Sequence, residues 1–205
     1  MEALACVIHD KGDLRLETRT VGEPGAGQVR VRIAAGGICG SDLHYFNAGG
    51  FGTVRLREPM VLGHEVAGTI EAVGPAVTRV RVGDRVALNP ARACGECRFC
   101  RDGAPRHCLN MKFYGSAMPW PHSQGAFSTL ILTEAQQCEP LAARVSFAEG
   151  ACAEPLAVAL HAVAQAGDLK GRRVLVTGAG PIGLMVIAAA RWAGAAEIVA
   201  VDLHA

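Results

Sequence analysis

A glycine-rich segment near residue 180 restricts the fold of this chain more than any other feature of the sequence. Gly178-Ala179-Gly180-Pro181-Ile182-Gly183 has the spacing G-x-G-x-x-G. It follows a short apolar, β-branched run at 173–177 and precedes a helical pattern at 184–192, and 197–202 reads as a second strand. A strand, a glycine loop, a helix and a parallel strand in this order predict the βαβ unit that begins a Rossmann-type, doubly wound α/β domain.

The same loop predicts a dinucleotide site. The first glycine permits a tight turn, the second lets a pyrophosphate approach the backbone, and the third lets the helix pack closely on the strand. The helix N-terminus then favours the phosphate charge. Asp202 follows about 20 residues later, where a carboxylate can bond a ribose 2′-hydroxyl and repel a 2′-phosphate, so NAD is favoured over NADP; a solvated acid at a strand end is the alternative. The predicted cofactor contacts are Gly178, Gly180, Pro181, Ile182, Gly183 and Asp202.

The first 150 residues are predicted to be mostly β-strand. The segment 29–33 alternates apolar and polar side chains, as a half-buried strand does, and 66–73 and 85–88 are further strand candidates between glycine-containing turns. Helix-forming Ala and Leu then dominate 155–165. We therefore predict two domains, a β domain at 1–150 and, at 151–205, a linking helix with the first βαβ unit.

The charge balance excludes several kinds of partner. Twenty basic and 19 acidic residues give a formal net charge of +1, so no basic surplus exists for nucleic acid or anionic membranes. The N-terminus reaches His9, Asp10 and Lys11 without an apolar signal segment, and we therefore expect a cytoplasmic protein. In a reducing compartment the eight cysteines are expected to be ligands, catalytic groups or core residues rather than disulfides.

Four of these cysteines predict a structural metal site. Cys94, Cys97, Cys100 and Cys108 follow the spacing C-x2-C-x2-C-x7-C. Two-residue gaps let successive thiolates turn toward one point, and four can close a tetrahedron around Zn²⁺ at ~2.3 Å per bond. An iron–sulfur cluster is the main alternative. Because such a zinc site leaves no open position for a substrate, we expect it to stabilise a lobe of the protein.

A second group of potential ligands lies in the segments 36–44 and 63–65, which contain Cys39, Ser41, Asp42, His44, His64 and Glu65. A catalytic zinc needs about three protein ligands and one free position. Cys39, His64 and Glu65 can supply three, and Glu154 is a further carboxylate that can bind the metal or hold its water. Taken one at a time, these residues have simpler interpretations, such as a core cysteine or a turn-capping histidine.

Together these motifs resemble the zinc-containing medium-chain dehydrogenase/reductase family. The segment 36–44, the triplet Gly63-His64-Glu65, the cysteine cluster and the glycine loop occur in the family's order and at its distances, across essentially the whole chain. The resemblance implies a GroES-like catalytic domain followed by a Rossmann domain. It also implies two zinc ions, one catalytic and one structural, and an NAD-dependent oxidation of a secondary alcohol.

Within the family, glutamate among the catalytic ligands is typical of the polyol dehydrogenase branch. The stretches 50–60 and 113–118, with Pro121-His122 after them, resemble the enzymes that interconvert L-idonate and 5-keto-D-gluconate. The resemblance therefore implies a polyol or sugar acid as substrate, with L-idonate first and sorbitol, xylitol or threonine as alternatives. It further implies homo-oligomers for the full-length protein.

A sugar acid also needs a group that binds its carboxylate. A guanidinium can bind a carboxylate bidentately, and Arg55 and Arg57 are the candidates. Exposed arginines beside a loop are an equally good interpretation of both. Trp120 is a weaker candidate for lining the substrate pocket.

The same resemblance assigns roles around the catalytic metal. It implies that Cys39, His64 and Glu65 hold the zinc, with Glu154 as the fourth ligand or as the carboxylate that holds the water. Ser41 would meet the substrate hydroxyl and begin a proton relay with His44 at its outer end, and Asp42 would orient the His64 imidazole. A Rossmann domain normally has about six strands, whereas the sequence contains two. We therefore expect a shortened fragment or a gene-model error rather than a true short product, with little or no turnover by the chain alone. A non-catalytic zinc-binding fragment is the alternative function.

Overall fold

The computed structural model describes residues 1–203, which form two units with their boundary between Ala151 and Cys152. The first unit is rich in β-strands, and the second alternates helices with strands. The strands are β1 (Glu2–Asp10), β2 (Asp13–Thr20), β3 (Gln28–Gly37), β4 (Gly50–Phe51), β5 (Val54–Arg55), β6 (Met60–Val61), β7 (Glu65–Val73), β8 (Arg85–Leu88), β9 (Ala91–Arg92), β10 (Lys112–Phe113), β11 (Leu130–Glu134), β12 (Cys138–Pro140), β13 (Arg173–Thr177) and β14 (Glu197–Val201). The helices are α1 (Gly40–Ala48), α2 (Arg98–Arg101), α3 (Phe147–Ala151), α4 (Ala153–Gln165) and α5 (Pro181–Trp192), with 3₁₀ turns at Pro105–His107 and Ala135–Gln137.

The centre of the first unit is a five-stranded antiparallel sheet in the order β11-β3-β7-β8-β12. Its inward-facing residues are β-branched or aliphatic, as a pleated and half-buried surface favours. Val29, Val31, Ile70 and Val86 are at most 1% exposed and belong to one cluster of contacts. The predicted strands at 29–33, 66–73 and 85–88 are all present in this sheet.

A second sheet, β2-β1-β6, carries the N-terminus. Strand β2 is at its edge, where half-buried Glu17 and Arg19 pair with buried Ala5 and Ala3 of β1, while Leu16 on the opposite face is 70% exposed. A smaller core beside this sheet joins Ile8, Met60 and Tyr45, the last of which lies on α1. The sequence analysis did not predict this hairpin or helix α1.

The second unit is the predicted βαβ arrangement. Strands β13 and β14 are parallel and paired over five residues each, with α5 connecting them. Helix α5 begins at Pro181, three positions before the predicted start at Leu184, because proline is well suited to the first helical turn, where its missing N–H has no partner to lose. No helix among residues 1–203 is both long enough and apolar enough to cross a membrane.

Candidate functional site

The pairing of β3 with β7 brings the predicted catalytic ligands together. Gly37, the last residue of β3, lies opposite Glu65, the first residue of β7. Cys39 follows two positions later as the N-cap of α1, and His64 immediately precedes β7. The Cys39 sulfur, a His64 ring nitrogen and a Glu65 carboxylate oxygen all lie within 4.8 Å of one another.

The environment of these three groups fits a bound cation. His64 is buried, and its Nδ1 has no hydrogen-bond partner within residues 1–203. Burial raises the pKa of the Glu65 carboxyl above its ordinary value, and the charge of Asp42 adds to this, while His64 acts in the opposite direction. A buried nitrogen without a partner and a carboxylate in a desolvated position are both costly unless a positive ion satisfies them. Sulfur, nitrogen and oxygen donors in one such set suit zinc.

Asp42 does not make the predicted contact with the His64 ring. Its two carboxylate oxygens accept hydrogen bonds from the backbone N–H groups of Cys39 (3.0 Å) and Gly63 (3.1 Å). The N-terminus of α1 presents donors that a carboxylate in the first turn can cap, and these compete successfully with the imidazole. Asp42 therefore ties together the two backbone segments that carry the ligands, and the prediction that it orients the imidazole is wrong.

Two glycines leave room for this arrangement. A Cβ at Gly37 would lie 2.2 Å from Oε2 of Glu65, so a side chain there would displace the carboxylate. Gly63 has φ +91°, and a Cβ there would lie 2.2 Å from the Phe127 ring. Glycine is required at Gly63 by both backbone conformation and space.

The predicted proton-relay residues both lie on α1. Ser41 is partly exposed, and His44, three positions later, is exposed and has its ring 6.1 Å from that of Phe51. Glu154 lies in the other unit, in the first turn of α4. Its part in metal binding stays a prediction.

Sequence reasoning did not single out two side chains beside the ligands. The ring of Phe113 lies 5.3 Å from that of His64. Tyr45 is 1% exposed, and its hydroxyl accepts a hydrogen bond from the N–H of Ala117. The only signal for Phe113 was the resemblance of the segment 113–118 to enzymes of known function, and Tyr45 had no such signal.

The four cysteines of the second site also converge. Their sulfur atoms lie within 4.8 Å of one another, with 3.5 Å between Cys97 and Cys100 and 4.0 Å between Cys94 and Cys100. Bonds of ~2.3 Å to a tetrahedral zinc would separate the sulfurs by about 3.8 Å, close to both distances. None of the four is in a disulfide. The short helix α2 and the 3₁₀ turn at Pro105–His107 lie within this segment.

The ionisation of this cluster also favours a bound cation. Backbone N–H groups of Leu109 and Cys100 lower the pKa of Cys97 to about 6. Desolvation and the neighbouring thiols raise the pKa of Cys100 to about 12. Four thiols this close cannot all ionise unless a positive charge lies among them, and a dication satisfies that condition.

The glycine loop of the second unit has the geometry of a tight strand-to-helix turn. Gly178 has φ +91°, and its N–H donates to the carbonyl of Val201. A Cβ at Gly183 would lie 1.8 Å from the carbonyl oxygen of Gly178, so only glycine permits this packing of α5 on the loop. Gly180 is the N-cap of α5, and nothing lies within 4 Å of where its Cβ would be. The carboxylate of Asp202 accepts a hydrogen bond of 2.6 Å from the N–H of Ala179, which holds it beside the loop.

Comparison with known proteins identifies relatives of this arrangement. The alcohol dehydrogenase GroES-like domain family matches residues 25–143. The L-idonate 5-dehydrogenase (NAD(P)(+)) of Escherichia coli strain K12 is 42% identical over 199 residues, which are 97% of this chain and 57% of that protein. The sorbitol dehydrogenase of Gallus gallus is 43% identical over 202 residues, which are 98% of this chain and 56% of that protein.

A solved structure agrees with these sequence relatives. The crystal structure of L-idonate 5-dehydrogenase from Escherichia coli superposes with a TM-score of 0.91 at 41% sequence identity, over 98% of this chain and 57% of that chain. The chain therefore spans a little over half the length of the relatives it matches. The predicted fold class, a GroES-like β domain followed by the start of an α/β domain, is confirmed.

Proposed function

The chain belongs to the zinc-dependent medium-chain dehydrogenase/reductase family, and from this we propose that it transfers a hydride from a secondary alcohol of a polyol or sugar acid to NAD. The observation that carries the proposal is the group formed by Cys39, His64 and Glu65, whose donor atoms lie within 4.8 Å of one another. The unpartnered Nδ1 of buried His64 supports a cation among them.

These residues would hold a catalytic zinc, which when bound supplies a Lewis acid that polarises the alcohol oxygen and lowers the pKa of its hydroxyl. Glu154 would add a fourth ligand or hold a water molecule. Cys94, Cys97, Cys100 and Cys108 would hold a second zinc of structural type.

The protein's own residues then move the alcohol proton. Ser41 accepts it from the substrate hydroxyl at Oγ and donates its own proton outward. His44 lies one turn further along the same helix, and its exposed imidazole can pass a proton to solvent. Asp42 ties the backbone of Cys39 to that of Gly63 and so holds the two ligand segments together.

The second unit would bind the dinucleotide. The N-terminus of α5 and the backbone at Gly178 and Gly180 favour its pyrophosphate. Asp202 would bond the ribose 2′-hydroxyl and so select NAD, although a relative's name, L-idonate 5-dehydrogenase (NAD(P)(+)), covers both cofactors.

L-Idonate is our proposed substrate, and its product is 5-keto-D-gluconate. The 42% identity to an L-idonate 5-dehydrogenase and the TM-score of 0.91 support this choice. Sorbitol is the second candidate, because a sorbitol dehydrogenase is equally similar in sequence. A cytoplasmic location and self-association are further predictions.

The test is NADH formation by the zinc-loaded chain with NAD and, in separate reactions, L-idonate, sorbitol and threonine. A rate on L-idonate that exceeds the other two supports the proposal. Preferential oxidation of sorbitol or threonine contradicts the proposed substrate but not the reaction type. Bound zinc and NAD without NADH from any alcohol would leave a non-catalytic binding fragment as the better description of this chain.

A further inference from the structure

Two segments that the sequence analysis singled out are joined by one buried histidine. His122 is 5% exposed. Its Nε2 accepts the backbone N–H of Arg57 (2.9 Å), and its Nδ1–H donates to the carbonyl of Pro119 (3.0 Å). Its own backbone N–H donates to the carboxylate of Glu58. These bonds fix the segment 57–58 against the segment 119–122.

The guanidinium of Arg57 therefore lies over the ring of exposed Trp120. The guanidinium carbon of Arg57 lies 4.8 Å from the centre of the Trp120 ring, and the His122 ring packs nearly perpendicular to that ring with 5.5 Å between centroids. Trp120 is 60% exposed, and Arg57 is also exposed. Within residues 1–203 the guanidinium of Arg57 has no hydrogen bond and no acidic partner, so its N–H donors point to solvent while the ring restricts its motion.

The guanidinium of Arg55, the other candidate for binding a carboxylate, already donates hydrogen bonds within the protein. Nη1 of Arg55 donates to the carbonyl oxygens of Gly52 and Val54, both at 2.8 Å. Its guanidinium stabilises the β4–β5 turn, and a ligand would have to compete with those bonds. The structure therefore distinguishes two arginines that the sequence could not.

The segments that carry Arg57 and Trp120 lead along the chain to residues beside the candidate metal site. Backbone hydrogen bonds between Ser116 and Ser123 form a hairpin with Trp120 near its tip. At the base of this hairpin, a Cβ on Gly115 would lie 3.1 Å from the backbone nitrogen of Gly63, the neighbour of His64. Arg57 precedes the same ligand segment, so the arginine and the tryptophan sit on the two stretches that lead away from the metal ligands.

We propose that Arg57, held over the ring of Trp120, binds the carboxylate of a polyhydroxy-acid substrate. A guanidinium presents parallel N–H donors that match a carboxylate, and stacking on an aromatic ring orients them before the ligand arrives. The inference rests on the proposed function and narrows it, because a neutral polyol has no group for this site. The substrate class is therefore an aldonic acid rather than an alditol.

Trp120 itself supplies the test. The chain has two tryptophans, so Trp192→Phe in the exposed part of α5 leaves Trp120 as the single indole fluorophore. L-Idonate and L-iditol are the matched probes, since they differ only in a carboxylate or a hydroxymethyl group at C1. We expect a saturable change in Trp120 fluorescence with L-idonate and at least about tenfold weaker binding of L-iditol, as loss of a charge-assisted pair predicts.

The variants separate this site from general effects. Arg57→Gln should weaken L-idonate binding about tenfold and remove the preference over L-iditol, and Arg57→Lys should recover only part of it because the forked donor is lost. Arg55→Gln is the matched control and should bind L-idonate as tightly as the parent chain. The Arg57 variants should melt at the parent temperature, because the exposed Arg57 guanidinium makes no hydrogen bond within residues 1–203. Arg55→Gln should melt slightly lower, because it loses the two hydrogen bonds to Gly52 and Val54.

Every outcome of these binding and turnover experiments either supports or overturns the proposed carboxylate site. Equal affinity for the two probes, no saturable binding of L-idonate, or an Arg57→Gln variant that binds it like the parent overturns the carboxylate site. Turnover of L-idonate with no effect of Arg57→Gln also overturns this site but leaves the proposed function intact. Arginine-dependent binding without NADH formation supports the site and counts against the proposed function.

Discussion

At the scale of single residues, the candidate metal site depends on donors that have few other partners. Cys39, His64 and Glu65 converge, and the His64 Nδ1 is buried without a hydrogen bond in the described part of the chain. We predict that the chain binds about two zinc ions and that Cys39→Ser binds about one, measured by elemental analysis after gel filtration. Replacing zinc with cobalt should give thiolate charge-transfer absorption from both sites.

The matched control for this loss is Cys97→Ser in the four-cysteine cluster. It should also remove one metal ion, but it should lower the melting temperature more, because a closed zinc site contributes directly to folding. A Cys39→Ser variant that keeps both ions would contradict the ligand set.

A glycine controls the position of one ligand. Gly37→Ala would place a Cβ 2.2 Å from Oε2 of Glu65, and we expect metal affinity at that site to fall roughly tenfold or more, the size of effect seen when the supports of a metal ligand are disturbed. Gly40→Ala, where a Cβ meets nothing within 4 Å, is the control and should bind metal normally. Titration with a competing chelator measures both. Equal affinities for the two variants would argue against Glu65 as a ligand.

The buried thiol of Cys138 is expected to make the stability of the fold decrease as the pH rises in the alkaline range. Desolvation raises the pKa of Cys138, which is fully buried, from 9.0 to about 12. Because the folded pKa exceeds the unfolded one, the neutral thiol's contribution to stability is complete below pH 9 and is lost as the pH rises from 9 toward 12. Cys138→Val removes this group at similar volume. The melting temperature of the variant should therefore fall less steeply than that of the parent above pH 9, and parallel curves would show that burial does not raise the pKa of Cys138 above its value in the unfolded chain.

At the scale of elements, two glycines of the loop are expected to have different roles. Gly183 lets α5 pack on the loop, and Gly180 leaves room for the pyrophosphate. Gly183→Ala would bring a Cβ 1.8 Å from a backbone oxygen, so we expect destabilisation of the second unit by roughly 1–3 kcal/mol or more, together with loss of NAD binding. Gly180→Ala has open space and should keep the melting temperature while weakening NAD binding, because the pyrophosphate is proposed to approach there. Calorimetry and NAD titration distinguish the two. Normal NAD affinity in Gly180→Ala would contradict the proposed phosphate position.

The elements that the sequence predicted well are those with a strong local signal. Strands β7, β8 and β13 carry apolar runs between turn residues, and α4 is a run of helix formers. Helix α1 was missed because its seven-residue interior is mostly polar or aromatic and its start depends on Asp42, whose bonds reach both the adjacent backbone and Gly63. The partners of Asp42 depend on the β3–β7 pairing, which no local pattern specifies.

The same limit applied to the candidate site. Spacing alone predicted the four-cysteine cluster, because all its ligands lie within one short segment. The residue types allowed the grouping of Cys39 with His64 and Glu65 but did not require it, because their approach follows from strand register rather than from sequence distance. The family resemblance favoured this grouping. The difference between Arg55 and Arg57 required the structure, because it depends on which carbonyl or ring each guanidinium meets.

At the scale of the whole molecule, the two units differ in how much apolar surface each buries. Within residues 1–203, the first contains three clusters of buried side chains, whereas the second has one with three buried members, Leu169, Ala190 and Ala195. Leu175, Val199 and Val201 of the two-stranded sheet are 45–64% exposed. We therefore predict that the backbone amides of β13 and β14 exchange with deuterium well before those of β3 and β7.

Saturating NAD should slow exchange in the second unit, because a ligand that binds the folded state stabilises it. Protection at β13 and β14 equal to that at β3 and β7 without NAD would show that the small core suffices. Protection by NAD in the first unit alone would contradict the proposed cofactor site.

The two metal sites differ in how far along the chain their ligands are separated, and this sets an order of events during folding. The four cysteines close short loops of two to seven intervening residues, so an unfolded chain can gather them around an ion at small entropic cost. Cys39 and Glu65 come together only when Gly37 has paired with Glu65 across β3 and β7. We therefore expect metal to bind first at the four-cysteine cluster. Metal binding at the other site should follow only when the central sheet has formed.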